Sequence, residues 1–243
     1  MYTDIHSHIV PEVDDGARSL KEALSLIRLS VAEGAERIIA TPHFYASSHG
    51  LEDRLQLVNE RFELLKSAVA EAGLEVDIIL GFEVRYFSGI STCDELDRLC
   101  ISGSKFLLLE LGYENISDKA VNEIMELYYR GYTVILAHIE RYSRLRGFNR
   151  LKSLIKNKYV RVQVNAASFL SGPFVHIAFR LLKSGMVDYI AGDMHSLELR
   201  PPKIKEALEV IEKKLGPSVK RRLIIRSNQL FENIGEERPG SHN

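Results

Sequence analysis

The chain has 243 residues, 45% hydrophobic and 27% charged, with 32 basic against 33 acidic side chains and a net charge of −1. This is the composition of a globular domain with a core large enough to need no staples, and it excludes a global basic field for nucleic acid or anionic lipid. Two cysteines, Cys93 and Cys100, suggest neither a disulfide framework nor a zinc knuckle; with no signal-peptide pattern and no apolar run near ~18 residues, a reducing cytoplasm without membrane insertion is expected.

In chain order, residues 3–8 read as a first strand ending in Asp4-Ile5-His6-Ser7-His8. Two histidines one residue apart on a strand project to the same side. Ser19-Leu20-Lys21-Glu22 is a capping box, and the Leu20, Leu24, Ile27, Val31 stripe predicts a helix stopped by Gly34. Residues 37–41 form the second strand and lead into Pro42-His43. Leu51, Leu55, Val58, Phe62, Leu65 and Val69 mark a core-facing helix, too few heptads for a coiled coil, closed by Gly73. Strands are expected at 76–80, 105–109, 132–137, 159–164 and 187–191. They lead to Glu83, Glu110, His138, Asn165 and Asp193-Met194-His195 respectively. A short helix is expected at 94–99, and longer ones from Ser117 to Arg130, over 149–158, from Pro173 to Ser184, and after Pro201-Pro202. Residues beyond that helix carry short helical signals; one domain is expected over 1–234 and a disordered tail over 235–243.

Seven alternations of strand and helix argue for an α/β fold with a parallel sheet. In a barrel, the C-terminal rim of the strands is where active sites are built. The candidate metal ligands His6, His8, Asp15, His43, Glu83, Glu110, His138, Asp193 and His195 fall there. Singly, each has a bland reading as a hydrogen-bonded or capping residue. Together, buried charges at these positions need partners, and metal ions provide them. His49, His176 and His242 are read as structural or surface residues. Nine nitrogen and oxygen donors exceed what one ion takes, so two or three divalent ions are expected, with manganese, iron or zinc compatible with imidazole and carboxylate. Such a cluster suits displacement at phosphorus. Arg141 and Arg200 follow ligand-bearing strand ends and are candidates for phosphate contact. The basic run Arg144, Arg146, Arg150, Lys152 reads as a solvated face. A cysteine phosphatase would need Arg six residues after Cys, but Leu99 and Phe106 stand there; a Gly-x-Ser-x-Gly elbow and a Walker loop are also lacking.

The blocks Asp4-Ile5-His6-Ser7-His8, Val13-Asp14-Asp15-Gly16, Thr41-Pro42-His43, Gly81-Phe82-Glu83, Leu109-Glu110, Ala137-His138-Ile139-Glu140-Arg141-Tyr142 and Gly192-Asp193-Met194-His195 with Arg200-Pro201-Pro202 resemble the polymerase-and-histidinol-phosphatase (PHP) superfamily. Within it, the chain is similar to the manganese-dependent bacterial tyrosine-protein phosphatases of the CpsB/CapC/YwqE type from capsule and exopolysaccharide loci. The resemblance implies a distorted seven-stranded (β/α)7 barrel with a trinuclear site. His6, His8, Glu83 and Asp193 would hold one ion; Glu83 would bridge to a second, completed by Glu110 and His138; Asp15, His43 and His195 would hold the third. It implies manganese first, phosphate contacts from Arg141 and Arg200, and a phosphotyrosine-containing tail of a bacterial tyrosine kinase as substrate. Phe82, and the loop 44–50 with its lack of basic residues, depart from the family pattern. The alternative activity is a small-molecule phosphomonoesterase of the histidinol-phosphatase kind.

Overall fold

The computed structural model describes residues 1–48 and 50–237. The elements run β1 (Tyr2–Ser7), α1 (Leu20–Ala32), β2 (Ala35–Ala40), β3 (His43–Phe44), α2 (Leu51–Glu71), β4 (Asp77–Leu80), β5 (Glu83–Arg85), β6 (Phe106–Glu110), α3 (Asp118–Tyr129), β7 (Thr133–Leu136), α4 (Phe148–Lys156), β8 (Arg161–Asn165), α5 (Val175–Lys183), β9 (Tyr189–Ala191), α6 (Ile204–Leu215) and α7 (Pro217–Glu237). Local chemistry starts the helices where expected. Ser19 accepts the Glu22 amide at 3.2 Å, and Glu22 reaches back to the Arg18 amide at 3.0 Å. Ser117 likewise accepts the Ala120 amide at the head of α3.

The strands lie in two sheets, ordered β1-β2-β4 and β3-β5-β6-β7-β8-β9, and every ladder is parallel. Among the described residues, nine short strands stand where seven were expected. Two of the seven are interrupted, one at Thr41-Pro42 between β2 and β3, the other at Gly81-Phe82 between β4 and β5. Proline has no amide to donate to a ladder. The sheets hand over at these breaks, since β2 pairs β4 while β3 pairs β5. The far edges meet beyond β9, where Ser7 bridges Met194 and the His8 amide donates to the Met194 carbonyl at 2.9 Å.

Two cores hold this arrangement. In the larger, the helices pack on the outer faces of the strands. In the smaller, Ile5, Ile39, Ile79, Leu108, Ile135 and Ala191 from β1, β2, β4, β6, β7 and β9 meet Leu230 and Ile234 of α7. Contacts of α7 with Thr3, Arg37 and Asp188 place it across the N-terminal ends of the strands, opposite the polar rim. This 21-residue helix corrects the expectation of only short helical signals after residue 216, and its backbone continues past 234 to Glu237. The rest of the expected tail, 238–243, lies outside the described residues. The short helix expected at 94–99 is instead the middle one of three successive 3-10 turns between β5 and β6, Ile90–Thr92, Leu96–Leu99 and Ile101–Gly103. Among the described residues, no helix is long and apolar enough to cross a membrane.

Candidate metal centre

The structure brings all nine expected ligands to one end of the strands, where Asp15, His43, Glu83, Glu110, His138 and Asp193 line a cavity of about 190 Å³ together with Tyr45, Arg85, Tyr113, Arg141 and Arg200. The loop after β1 folds back over His8. Gly16 is required there, because a Cβ would sit 2.2 Å from the His8 carbonyl oxygen. Gly192 is required for a similar reason, since a Cβ would lie 2.4 Å from Asp4 Oδ2. His138 and Asp193 end their strands in the left-handed region, with φ of 32° and 49°. Side chains other than glycine adopt that backbone at a cost of roughly 1–3 kcal/mol.

His6, His8, Glu83 and Asp193 form the deepest set, all buried. His6 Nε2 lies 3.1 Å from His8 Nε2, 3.2 Å from Glu83 Oε2 and 3.5 Å from Asp193 Oδ1. His8 Nε2 is 3.3 Å from Glu83 Oε2 and 3.5 Å from Asp193 Oδ1. Donor atoms bonded to one cation at about 2.1 Å stand roughly 3.0–3.4 Å apart. The spacing therefore fits an ion in the centre of the four.

The outer atoms of these ligands are tied down, so the inner ones are left for a cation. His8 Nδ1 meets Asp14 Oδ2 at 2.8 Å, and His6 Nδ1 approaches Gln163 Oε1 at 3.4 Å. His195 Nδ1 donates to the Asp193 carbonyl at 3.0 Å, and His138 Nδ1 lies 3.2 Å from the Tyr142 hydroxyl. A proton held on Nδ1 leaves the Nε2 lone pair facing the cavity.

A second set shares Glu83. His138 Nε2 is 2.8 Å from Glu83 Oε1 and 3.5 Å from Glu110 Oε1. A third set lies nearer solvent, with Asp15 Oδ1 3.5 Å from His43 Nε2 and 3.4 Å from His195 Nε2. His43 stands between the two, its Nδ1 3.0 Å from Glu83 Oε2 but outside hydrogen-bond geometry. His43 Nδ1 and His195 Nε2 are buried without a hydrogen-bond partner. Orphaned donors of this kind are costly in a closed protein, and a bound cation would satisfy them. Of the three histidines read as bystanders, His176 is exposed on α5; His49 and His242 lie outside the described residues.

Arg141 and Arg200 reach the cavity from two sides, as expected, but they also hold the cluster. Both donate through Nη2 to Asp193 Oδ2, Arg141 at 3.0 Å. They fix the outer oxygen of Asp193 and turn Oδ1 inward.

Several contributors were missed. Asp14 was passed over for its neighbour Asp15, although it binds the His8 ring and the amides of Gly16 and His43. Strand β8 carries no expected ligand, yet Gln163 accepts the His138 amide at 2.7 Å and donates to Asn165 Oδ1 at 2.7 Å. Asn165 in turn donates to Asp193 Oδ2 at 2.5 Å. The alternation of Gln163 and Asn165 on a strand between two ligand-bearing neighbours was the available signal. Arg85 pairs with Glu110 Oε2 at 2.9 Å, and Tyr113 donates to Glu110 Oε1 at 3.1 Å while accepting from Arg141 at 2.9 Å. Phe82, the departure from the family pattern, is buried against Phe44 in the core and leaves the cavity open.

The ionisation states follow from crowding of opposite charges. Burial works against a charged His8, but Asp14 and Glu83 outweigh it and push its pKa up to about 10. Burial likewise opposes Glu83 as a carboxylate, yet His6, His138 and His43 hold it well below the usual range. Asp193 is held down against burial by His6 and Arg200. Metal-free, the cluster takes up protons where it would otherwise take up cations.

The chain matches the family described as capsular polysaccharide synthesis, CpsB/CapC, over residues 2–231. It is 30% identical to the tyrosine-protein phosphatase CpsB of Streptococcus agalactiae over 237 residues, 94% of each chain. It is 26% identical to the tyrosine-protein phosphatase YwqE of Bacillus subtilis, covering 95% of this chain and 91% of that one. Its fold superposes with a TM-score of 0.83 at 24% identity, over 95% and 94% of the two chains, on a structure from a study of YwqE of B. subtilis and CpsB of Streptococcus pneumoniae, described as metal-dependent tyrosine phosphatases. A β-aspartyl dipeptidase from Fervidobacterium islandicum shares the fold more distantly, at a TM-score of 0.53 and 12% identity over 94% and 74% of the two chains.

Proposed function

This chain belongs to the CpsB/CapC family, and from that membership we propose that it is a metal-dependent phosphatase that hydrolyses phosphotyrosine in a protein substrate. The single observation that carries the reading is the convergence of buried imidazole and carboxylate donors with two arginines on one small cavity. We read the nine strand segments as a distorted seven-stranded barrel in one domain over 1–234, with His6, His8, Asp15, His43, Glu83, Glu110, His138, Asp193 and His195 as ligands to two or three ions. The mixed nitrogen and oxygen donors without thiolate admit manganese, iron or zinc alike, and manganese is the first choice on the resemblance to the manganese-dependent phosphatases of this family. When bound, the ions supply polarisation of water and neutralisation of phosphoryl charge.

The chain's own residues position the substrate. The guanidinium groups of Arg141 and Arg200 offer planar donors to phosphoryl oxygens from two sides of the cavity. Glu83, kept ionised by its histidine neighbours, stands between the deep and the second donor sets. Tyr113 holds Arg141 at the mouth. The thiols of Cys93 and Cys100 suit a cytoplasmic setting, and the substrate we favour is the phosphotyrosine-rich tail of a bacterial kinase acting in capsule or exopolysaccharide synthesis. The test is turnover of matched phosphotyrosine and phosphoserine peptides across a series of divalent metals. Selective hydrolysis of phosphotyrosine is expected. Equal or better turnover of small alkyl phosphomonoesters would instead point to a histidinol-phosphatase-like esterase.

A further inference from the structure

The mouth of the cavity is walled by two aromatic side chains that the ligand set does not explain. Tyr45, 38% exposed, follows β3, and its ring centroid lies 5.1 Å from that of His43. Tyr113, 54% exposed, follows β6. Both line the same cavity, among charged residues. An exposed tyrosine is ordinarily mobile, but Tyr113 is pinned at three points. Its hydroxyl donates to Glu110 and accepts from Arg141, and the Arg85 guanidinium sits 5.3 Å from its ring centroid. That leaves one aromatic surface oriented and open to solvent. Strand β5 lies between β3 and β6, so the two rings come from strands two positions apart, on either side of Arg85.

We infer that Tyr45 and Tyr113 are specificity-determining walls that receive the aromatic ring of an aryl phosphate, so that the site prefers aryl over alkyl phosphomonoesters. This rests on the phosphatase reading above and deepens it. A phosphate directed to the cluster and to Arg141 and Arg200 leaves its ester group at the mouth. A phenyl ring there meets ring faces and the Arg85 cation, whereas a seryl or short alkyl group offers them almost no surface. Offset or edge-to-face contact between rings is worth enough to change selectivity about 2- to 13-fold per wall. The two tyrosines differ in one respect. Tyr45 contributes only its ring surface, while Tyr113 also holds Arg141 through its hydroxyl, a contact that serves any phosphate alike.

The experiment compares kcat/KM for phenyl phosphate and ethyl phosphate in the metal-loaded protein, using Tyr45→Leu, Tyr113→Leu and Tyr113→Phe. Both tyrosines are exposed, so the substitutions leave the core intact. The aryl-to-alkyl ratio should fall about 3- to 10-fold in each leucine variant. In Tyr113→Phe, which keeps the ring and loses the bond to Arg141, both substrates should slow together and the ratio should hold. An unchanged ratio in both leucine variants, or a ratio lost as fully in Tyr113→Phe as in Tyr113→Leu, overturns the inference and leaves the phosphatase reading standing. A wild-type protein that hydrolyses neither ester under any metal overturns both.

Discussion

The deep and the outer ends of the cluster are built from the same residue types and differ in how they are held. His6, His8, Glu83 and Asp193 are almost wholly buried, and each has a second atom fixed by the protein, from Gln163, Asp14, His138 and the arginines. Asp15, at the outer end, has a side chain 66% exposed, and its neighbours His43 and His195 stand 3.4–3.5 Å away. A preorganised donor set has little ordering left to do when a ligand arrives, whereas an exposed carboxylate must give up freedom and water. The deep end should hold its ion tightly and the outer end should exchange.

The hardest blow to this contrast is the loss of a deep donor. His8→Ala should bring kcat below about 10⁻³ of wild type and reduce bound metal, with circular dichroism unchanged. Asp15→Ala should lose one ion per chain by elemental analysis while the remaining ions survive dialysis, and activity should fall by only roughly 10- to 100-fold. Equal metal loss in the two variants would abolish the distinction.

Arg200→Ala tests the boundary between cluster and substrate. A charge-assisted contact to phosphate is worth roughly 1.5–3 kcal/mol, so kcat/KM for a phosphotyrosine peptide should fall about 10- to 150-fold. Because Arg200 also holds Asp193, deep-site metal affinity should weaken modestly as well, which competition with a chelator would measure. A variant with full kcat/KM would remove Arg200 from phosphate recognition.

Gln163→Leu sharpens the comparison from behind the ligands. It removes the acceptor near His6 and the donor to Asn165. Outer-sphere changes of this kind cost about 10- to 100-fold in metal affinity or activity. Deep-site affinity should move toward the lower end of that range, Gln163→Glu should restore part of it, and the outer ion should be unaffected.

The smallest effect is on stability against pH. In the folded metal-free protein His8 is raised from 6.5 to about 10. Its contribution is complete below pH 6.5 and is lost as the pH climbs toward 10. Chelated protein should therefore melt lower at pH 9.5 than at pH 6, by about 2–4 °C for each kcal/mol lost. Asp14 and Asp193 are held below their usual range, so their contribution acts at the acid end, present above about pH 4 and lost as the pH falls. Metal-loaded protein should show no loss on the alkaline side, and a parallel decline in both forms would sink the assignment to His8.

Much of the candidate site was legible because the candidate ligand residues fall where an apolar run stops, and that boundary is visible in a single sequence. The α2 stripe from Leu51 to Val69 was legible for a similar reason: its spacing admits only a helix. Helix α7 was not, since its buried stripe Leu223, Ser227, Leu230, Ile234 contains a polar member and lies among Lys220, Arg221 and Arg222. The breaks at Pro42 and Gly81 read as strand ends, because nothing local says that pairing resumes two residues later. Gln163, Asn165, Arg85 and Tyr113 act through partners 25 or more residues away in most of their contacts, and such partners exist only once the strands are side by side.

The left-handed backbone at His138 and Asp193 has a consequence for how this protein could be improved in the laboratory. Glycine at either position would relieve roughly 1 kcal/mol or more of backbone cost. At Asp193 that gain is opposed by the loss of its contacts with His6, Arg141 and Arg200, so the relief is expected at His138. A library screened for thermal stability without metal or substrate should therefore drift toward glycine at the His138 codon, and clones that do so should lose activity. Screening in the presence of the ion reverses the pressure, because binding then adds to the stability of every chain that keeps both residues.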